Sequence, residues 1–303
     1  MLAIKSILCP IDFSDFSARA YDYAQSLADH YHASISLLHV TGPGAGEHFH
    51  PTANNTPSRE LEDYTEDDIK RFAHENTHSE IKPAVCARVG PVRTTILEVA
   101  AKKRADLIIM GMHGHSEGVQ GLLGSVTEYV LRHASCPVLA LREPRHDFIG
   151  PDEKGHDAVR IRKILFCTDL SPFSERALDY ALSLATEYGA ELTLLHVIDD
   201  RAGKSDMEKR TAQVKREMER PIPQDAYETC TIKCLVRAGK AYEEIVRYEA
   251  ESQPDLVVMG IHGRNVVDLA LAGSTTHRVL QLGMGPVITV AVDKVAEHGE
   301  RVA

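Results

Sequence analysis

The sequence predicts an α/β protein made of two doubly wound parallel-sheet domains in tandem. Three observations carry that expectation. First, the chain repeats itself: ILCPIDFSDFSARAYDYAQSLADHYHASISLLHV (Ile7–Val40) matches ILFCTDLSPFSERALDYALSLATEYGAELTLLHV (Ile164–Val197) at an offset of 157, and ADLIIMGMHG (Ala105–Gly114) matches PDLVVMGIHG (Pro254–Gly263) at an offset of 149. Second, near-continuous apolar runs alternate with helical periodicity in each copy, as in a parallel sheet covered on both faces. Third, each copy carries a glycine-rich stretch between an apolar run and a helix-like segment. Repeats this long, each with a complete core pattern, are domains rather than solenoid units.

The elements follow in order. Ile4–Ile11 is an apolar, β-like run. Ser14 or Asp15 can cap a helix in which Ala20, Ala24, Leu27, Ala28 and Tyr31 fall at helical spacing. Ser34–Val40 is strand-like, and Thr41–Ser58 is a Gly/Pro/Asn-rich loop. Arg59–His78 is polar and helical, its acidic run Glu60–Asp68 reading as a solvated face. Ile81–Val89 is a strand. Pro91–Lys103 is a helix with Pro at its start and a basic last turn. Leu107–Met110 is a strand, Ser125–His133 a helix and Pro137–Leu141 the last strand. The second copy repeats this order with a shorter segment after its second strand. Glu143–Val159 is a polar linker, so the domains are 1–144 and 160–303, with 145–159 between them. Right-handed crossovers make each sheet doubly wound and place ligands beyond the strand C-termini at a switch point.

Composition narrows the class. With 303 residues, 43% apolar and 26% charged, the chain reads as an ordinary globular protein. A net charge of -10 argues against nucleic acid or an anionic membrane as partner. The six cysteines are scattered, mostly in strand-like runs, and read as buried thiols in a reducing compartment. If Cys230 and Cys234 share a strand, they share a face, which favours packing over a metal site. No segment is long and apolar enough to span a membrane and the N-terminus does not resemble a signal peptide, so a cytoplasmic location is expected.

The chemistry concentrates in two motifs of the form G-x2-G-x9-G-S: Gly111, Gly114, Gly124 and Ser125, then Gly260, Gly263, Gly273 and Ser274. Glycines let the backbone approach a ligand closely, and the unpaired N–H groups of a helix start converge on an anion. One charge at a helix end contributes only about 0.3–1 kcal/mol. Micromolar affinity needs about 8 kcal/mol, so base burial and several N–H contacts must supply the rest.

With P-x-D-x-S at Pro10–Ser14, LLHV at Leu37–Val40 and Leu194–Val197, and CPVL at Cys136–Leu139, the paired glycine motifs resemble those of the universal stress protein family, in tandem. The resemblance covers nearly all of both halves. It implies ATP-binding, Rossmann-like domains of five parallel strands each, related by a pseudo-two-fold axis and paired through Pro137–Leu141 and Pro286–Ala291. By the same resemblance, Asp12 and Val40 handle adenosine, while Met110, Gly111, Gly114, Gly124, Ser125 and Val126 handle ribose and phosphates, with Pro10 beside them. In the second copy the corresponding residues are Asp169, Val197, Met259, Gly260, Gly263, Gly273, Ser274 and Thr275. Magnesium can accompany the ATP.

Local alternatives stand beside these roles. Asp12 and Asp169 can instead bond to nearby serines or cap the next helix. His39 and His196 fit satisfied core positions. His113 and His115 flank Gly114, but Arg264 replaces His115 in the second copy, which breaks a shared metal pair. His48, His50, His74 and His78 read as solvated surface, and no metal site is expected. The second copy also has Cys167 for Pro10, Asp268 for Val119 and His277 for Glu128, while the first already carries Glu117. Both sites are expected to be competent, the first more securely.

No G-K-[ST], G-x-S-x-G or H-E-x-x-H appears, so efficient catalysis is not expected. The primary reading is an ATP-binding stress-response protein that acts as a nucleotide-regulated binding or signalling module toward an unidentified protein partner. A slow ATPase or other nucleotide-dependent enzyme and a nucleotide-free interaction scaffold are the alternatives. The sequence leaves homodimerisation open.

Overall fold

The computed structural model describes residues 2–42, 58–112, 123–142, 148–151, 157–198, 204–261 and 274–291. The first half runs β1 (Ser6–Pro10), α1 (Asp15–Tyr31), β2 (Ser34–Thr41), α2 (Ser58–Asn76), β3 (Ala84–Val89), α3 (Val92–Lys103), β4 (Leu107–Gly111), α4 (Ser125–His133) and β5 (Val138–Leu141). A hairpin follows, β6 (Ile149–Pro151) and β7 (Asp157–Val159). The second half runs β8 (Lys163–Cys167), α5 (Pro172–Tyr188), β9 (Glu191–Ile198), α6 (Lys204–Glu219), α7 (Ala226–Thr229), β10 (Ile232–Ala238), α8 (Ala241–Ser252), β11 (Leu256–Ile261), α9 (Ser274–Leu282) and β12 (Val287–Ala291).

The local chemistry explains the boundaries. Ser14 caps α1 by accepting from Ser17 N, and His32 closes the helix in the left-handed conformation. In the second copy Pro172 opens α5, where a missing N–H costs nothing, and Gly189 takes the place of His32 with φ 59°. The basic turn Lys102–Lys103 ends α3 as expected.

The two halves form one ten-stranded sheet in the order β10-β9-β8-β11-β12-β5-β4-β1-β2-β3. Within each half the strands are parallel and doubly wound. The joint is antiparallel, with Val287 opposite Ala140, Ile288 opposite Leu139 and Thr289 opposite Val138. The final strands thus pair as expected, inside one chain.

Strand alternation builds two cores. Ile7, Cys9, Leu37, Ile109 and Leu139 face one side, packed under α1 and α5 together with Phe166 and Ile288. Leu8, Leu38, Ile108, Met110 and Val138 face the other, with Val130, Val279 and Val287. Both layers continue through the joint, so the halves share their apolar interior.

One expectation is corrected and one condition is not met. The stretch read as a polar linker contains the antiparallel β6–β7 hairpin. Phe148 is 1% exposed, and its ring stands edge-on to Tyr23 with centroids 4.6 Å apart. Isolated apolar residues such as Phe148, Ile149 and Ile161 show no periodicity, so their burial is not visible locally. Cys230 is not on a strand beside Cys234. It caps α7 and donates its thiol to the Ala226 carbonyl at 3.2 Å. All six cysteines are free, and all but Cys234 are buried. Burial pushes the Cys136 thiol up to about 12 and that of Cys234 up to about 11, so neither supplies a thiolate near neutrality.

Candidate functional site

The candidate site lies where β1 and β4 leave the sheet. They are neighbours, but the chain departs from them in opposite directions, toward β2 and toward β5. That divergence opens a crevice at their C-terminal ends. Pro10, Asp12, Val40, Met110 and Gly111 sit on this rim because β1, β2 and β4 run parallel and end together.

The Asp12 turn is tightly built. Ile11 N extends the sheet by donating to Leu38 O at 2.8 Å. Asp12 Oδ1 accepts from Ser14 N at 3.1 Å and from Ser14 Oγ at 2.5 Å. Between them Phe13 adopts φ +64°, an uncommon conformation for a bulky residue. The local bonds expected of this Asp are therefore present. They hold the carboxylate at the rim and are compatible with a ligand contact.

His39 supports the turn from beneath. Its Nδ1–H donates to Ile11 O at 2.9 Å, and its ring lies 4.6 Å from Phe13. Burial lowers its pKa, against the opposing pull of the Ile11 carbonyl and the carboxylates of Asp12 and Asp68. It is a satisfied core residue that props the site. Val40 is buried and pairs with Arg88 of β3. Gly90 N then donates to Thr41 O at 3.0 Å, closing the end of β2.

The glycine stretch leaves and returns to the strand end. Met112 N donates to Leu141 O at 2.7 Å, and Gly124 N returns to Met112 O at 2.9 Å. Thr127 Oγ1 anchors the first turn of α4 by donating to Gly111 O at 2.9 Å. A Cβ at Gly124 would lie 2.9 Å from Met112 O, so this position requires glycine for close approach. No side chain caps α4 among the described residues, and Ser125 and Val126 occupy the first turn, where N–H groups have no helical acceptor. Gly114, His113, His115, Glu117 and Val119 lie outside the described residues.

The second half repeats the frame. Asp169 Oδ1 accepts from Ser171 N at 3.0 Å and Ser171 Oγ at 2.5 Å, and Leu170 has φ +63°. His196 Nδ1–H donates to Thr168 O at 2.9 Å. Val197, Met259 and Gly260 stand at the ends of β9 and β11. Ser274 begins α9 and Thr275 is in its first turn. Gly263, Gly273, His262, Arg264 and Asp268 lie outside the described residues. Phe13, Leu170 and Thr127 also shape the rims and lie outside the fixed positions of the sequence motifs. The repeated left-handed residue after each Asp has no compositional mark, whereas Thr127 recurs as Thr276 in the second copy, a signal the repeat itself carries.

His48 and His50 also lie outside the described residues, and His74 and His78 are exposed. Among the described residues no group of three or more metal-ligating side chains gathers, and no helix is long and apolar enough to cross a membrane.

The frame has clear relatives. The model of the universal stress protein family matches residues 3–142 and again 160–291. A universal stress protein of Mycolicibacterium smegmatis is 29% identical over 298 residues, covering 94% of this chain and 96% of its own. One from Mycobacterium tuberculosis is 30% identical over 200 residues, and this chain spans 64% of its length. The crystal structure of a universal stress protein from Archaeoglobus fulgidus superposes with a TM-score of 0.70 at 22% identity, over 95% of this chain and 97% of that one. With two matches that together take in most of its length, the chain belongs to the universal stress protein family and carries that family's domain twice.

Proposed function

We propose that each half, 1–144 and 160–303, joined by 145–159, holds one ATP with its magnesium at the rim described above, and that occupancy regulates binding to a protein partner. One observation carries this reading. In both halves a bonded Asp turn and an uncapped or newly started helix flank the same crevice between neighbouring strands. Asp12, Val40, Asp169 and Val197 line the adenosine side. The glycine stretches and the first turns at Ser125 and Ser274 offer N–H groups to the phosphates. Neither glycine motif carries the G-K-[ST] of a Walker loop in its sequence, which favours holding the nucleotide over turning it over.

Calorimetry of the full chain with magnesium-ATP tests this. Two sites with micromolar dissociation constants are expected, and the absence of binding up to millimolar nucleotide would falsify the proposal. Gly124→Ala should weaken the first site about tenfold, equivalent to roughly 1.4 kcal/mol, by displacing the first turn of α4 from Met112 O. Asp12→Asn keeps an acceptor for Ser14 and isolates the contribution of the charge. Phosphate release above buffer background that Asp12→Asn abolishes would instead identify a slow ATPase.

A further inference from the structure

The joint between the halves carries a pattern that pairing of identical halves could not produce. Its register is centred on Leu139 and Ile288, and these are equivalent positions at the offset of 149. A local two-fold axis therefore passes between them, and residues near it meet their own equivalents. Two of these meetings join an acid to a histidine.

On one face of the sheet, His30 Nε2 near the end of α1 lies 2.9 Å from Glu187 Oε1 near the end of α5. The two positions are equivalent at the offset of 157. Tyr31 OH donates to Glu187 Oε2 at 3.1 Å, and the His30 ring stacks on Tyr188 at 4.9 Å. The Glu187 side chain is only 14% exposed. On the opposite face, Glu128 Oε1 in α4 lies 3.9 Å from His277 Nε2 in α9, again equivalents, at the offset of 149. The roles are exchanged between the faces. The first half supplies His30 and Glu128, and the second supplies Glu187 and His277.

A symmetric pairing of like halves loses both contacts. Two first halves would set His30 against His30 and Glu128 against Glu128. Two second halves would set Glu187 against Glu187 and His277 against His277. Facing carboxylates repel even near the surface, moderated on the Glu128 face by Arg132, whose Nη2 donates to Glu128 Oε1 at 2.7 Å, and facing like charges are an effective way to reject a wrong partner.

We propose that the exchanged acid–histidine pairs make the two halves mutually specific. The pairing face of each half accepts the other half and rejects its own like on a second copy of the chain. The inference is independent of nucleotide binding.

Substitutions in the full chain can reproduce the rejected pairings. Glu187→His with His277→Glu gives the axis the residues that two first halves would show. His30→Glu with Glu128→His gives it those of two second halves. All four substitutions together restore both pairs with the halves' roles reversed. Thermal unfolding would be followed at pH 6 and low salt, where charge pairs are least screened. Each double variant should melt lower than the natural chain by about 4 °C or more, and the fourfold exchange should return to within about 1–2 °C of it. A double variant that melts with the natural chain overturns the proposal, as does a fourfold exchange that stays as low as the doubles.

Discussion

The two halves share a backbone plan but stabilise it with different buried polar groups. In the first half Gln25, 3% exposed, ties α1 to the end of α2. Its Nε2 donates to Asn76 O at 3.0 Å, and its Oε1 accepts from His78 N at 2.7 Å and Ser79 N at 3.2 Å. The equivalent in the second half is Leu182, also buried. In the second half Glu249, 2% exposed, accepts from Met284 N at 2.7 Å and Gly285 N at 2.8 Å, holding the turn from α9 into β12. Its equivalent in the first half is Ala100. Each half thus satisfies one irregular segment with a buried side chain and leaves the matching position of the other apolar. Duplication fixes the ladder and the cores, while each connection must satisfy its own backbone groups.

The largest test of this contrast is Glu249→Ala, which gives the second half the residue found in the first. It removes the side-chain acceptor of two backbone N–H groups, and a loss of about 3 kcal/mol is expected by chemical denaturation. Glu249→Gln retains an acceptor and should lose less. Gly283→Ala approaches the same turn from the other side. Its Cβ would lie 2.6 Å from Val279 O and 2.7 Å from Glu249 Oε2, and an overpacking cost of about 1–3 kcal/mol is expected. The first half carries Ala134 at this position without a Glu beside it, so introducing Ala100→Glu there should not stabilise the chain. Equal tolerance of alanine at 249 and 283 would remove the contrast.

Gln25→Leu gives the first half the residue of the second and should cost about 2 kcal/mol, since the N–H groups of His78 and Ser79 lose their acceptor. Leu182→Gln should destabilise as well, because it puts an amide where a buried leucine packs in the apolar core. If instead Leu182→Gln were neutral, the polar clamp would be incidental to the first half rather than required by its longer segment.

Most of the frame was legible because it is written locally and twice. The Ser125–His133 helix follows from Gly-Ser before it and Arg132–His133 at its end, and the chain folds it over those residues. The strands were legible as apolar runs, and the sheet order follows from handed crossovers once the elements are known. The Asp turns at Asp12 and Asp169 were legible as local Asx-type bonding. What escaped depends on contacts far along the chain. Phe148 is buried by Tyr23, the clamps at Gln25 and Glu249 act across more than thirty positions, and the pairs at the axis require the register of β5 on β12. The left-handed Phe13 also runs against its own propensity, and surrounding structure holds it there.

The smallest effect concerns the support beneath the first site. His39 is held neutral by burial, with its Nδ1–H committed to Ile11 O. Its native pKa lies below the ordinary imidazole value, so the unfolded chain binds more protons as pH falls through that value near 6.5. Stability contributed by neutral His39 is therefore complete above that range and declines as the solution is acidified. Asp12 and Asp68 face the ring and moderate the decline, since both favour its protonated form. His39→Asn places an amide N–H where Nδ1–H stood and removes the titration. The variant's stability should accordingly change less between pH 7 and pH 5 than that of the natural chain, with the two curves separating as pH falls. Parallel curves would mean that the ring accepts a proton without cost, and that the contact of Phe13 with His39 does not depend on its neutral form.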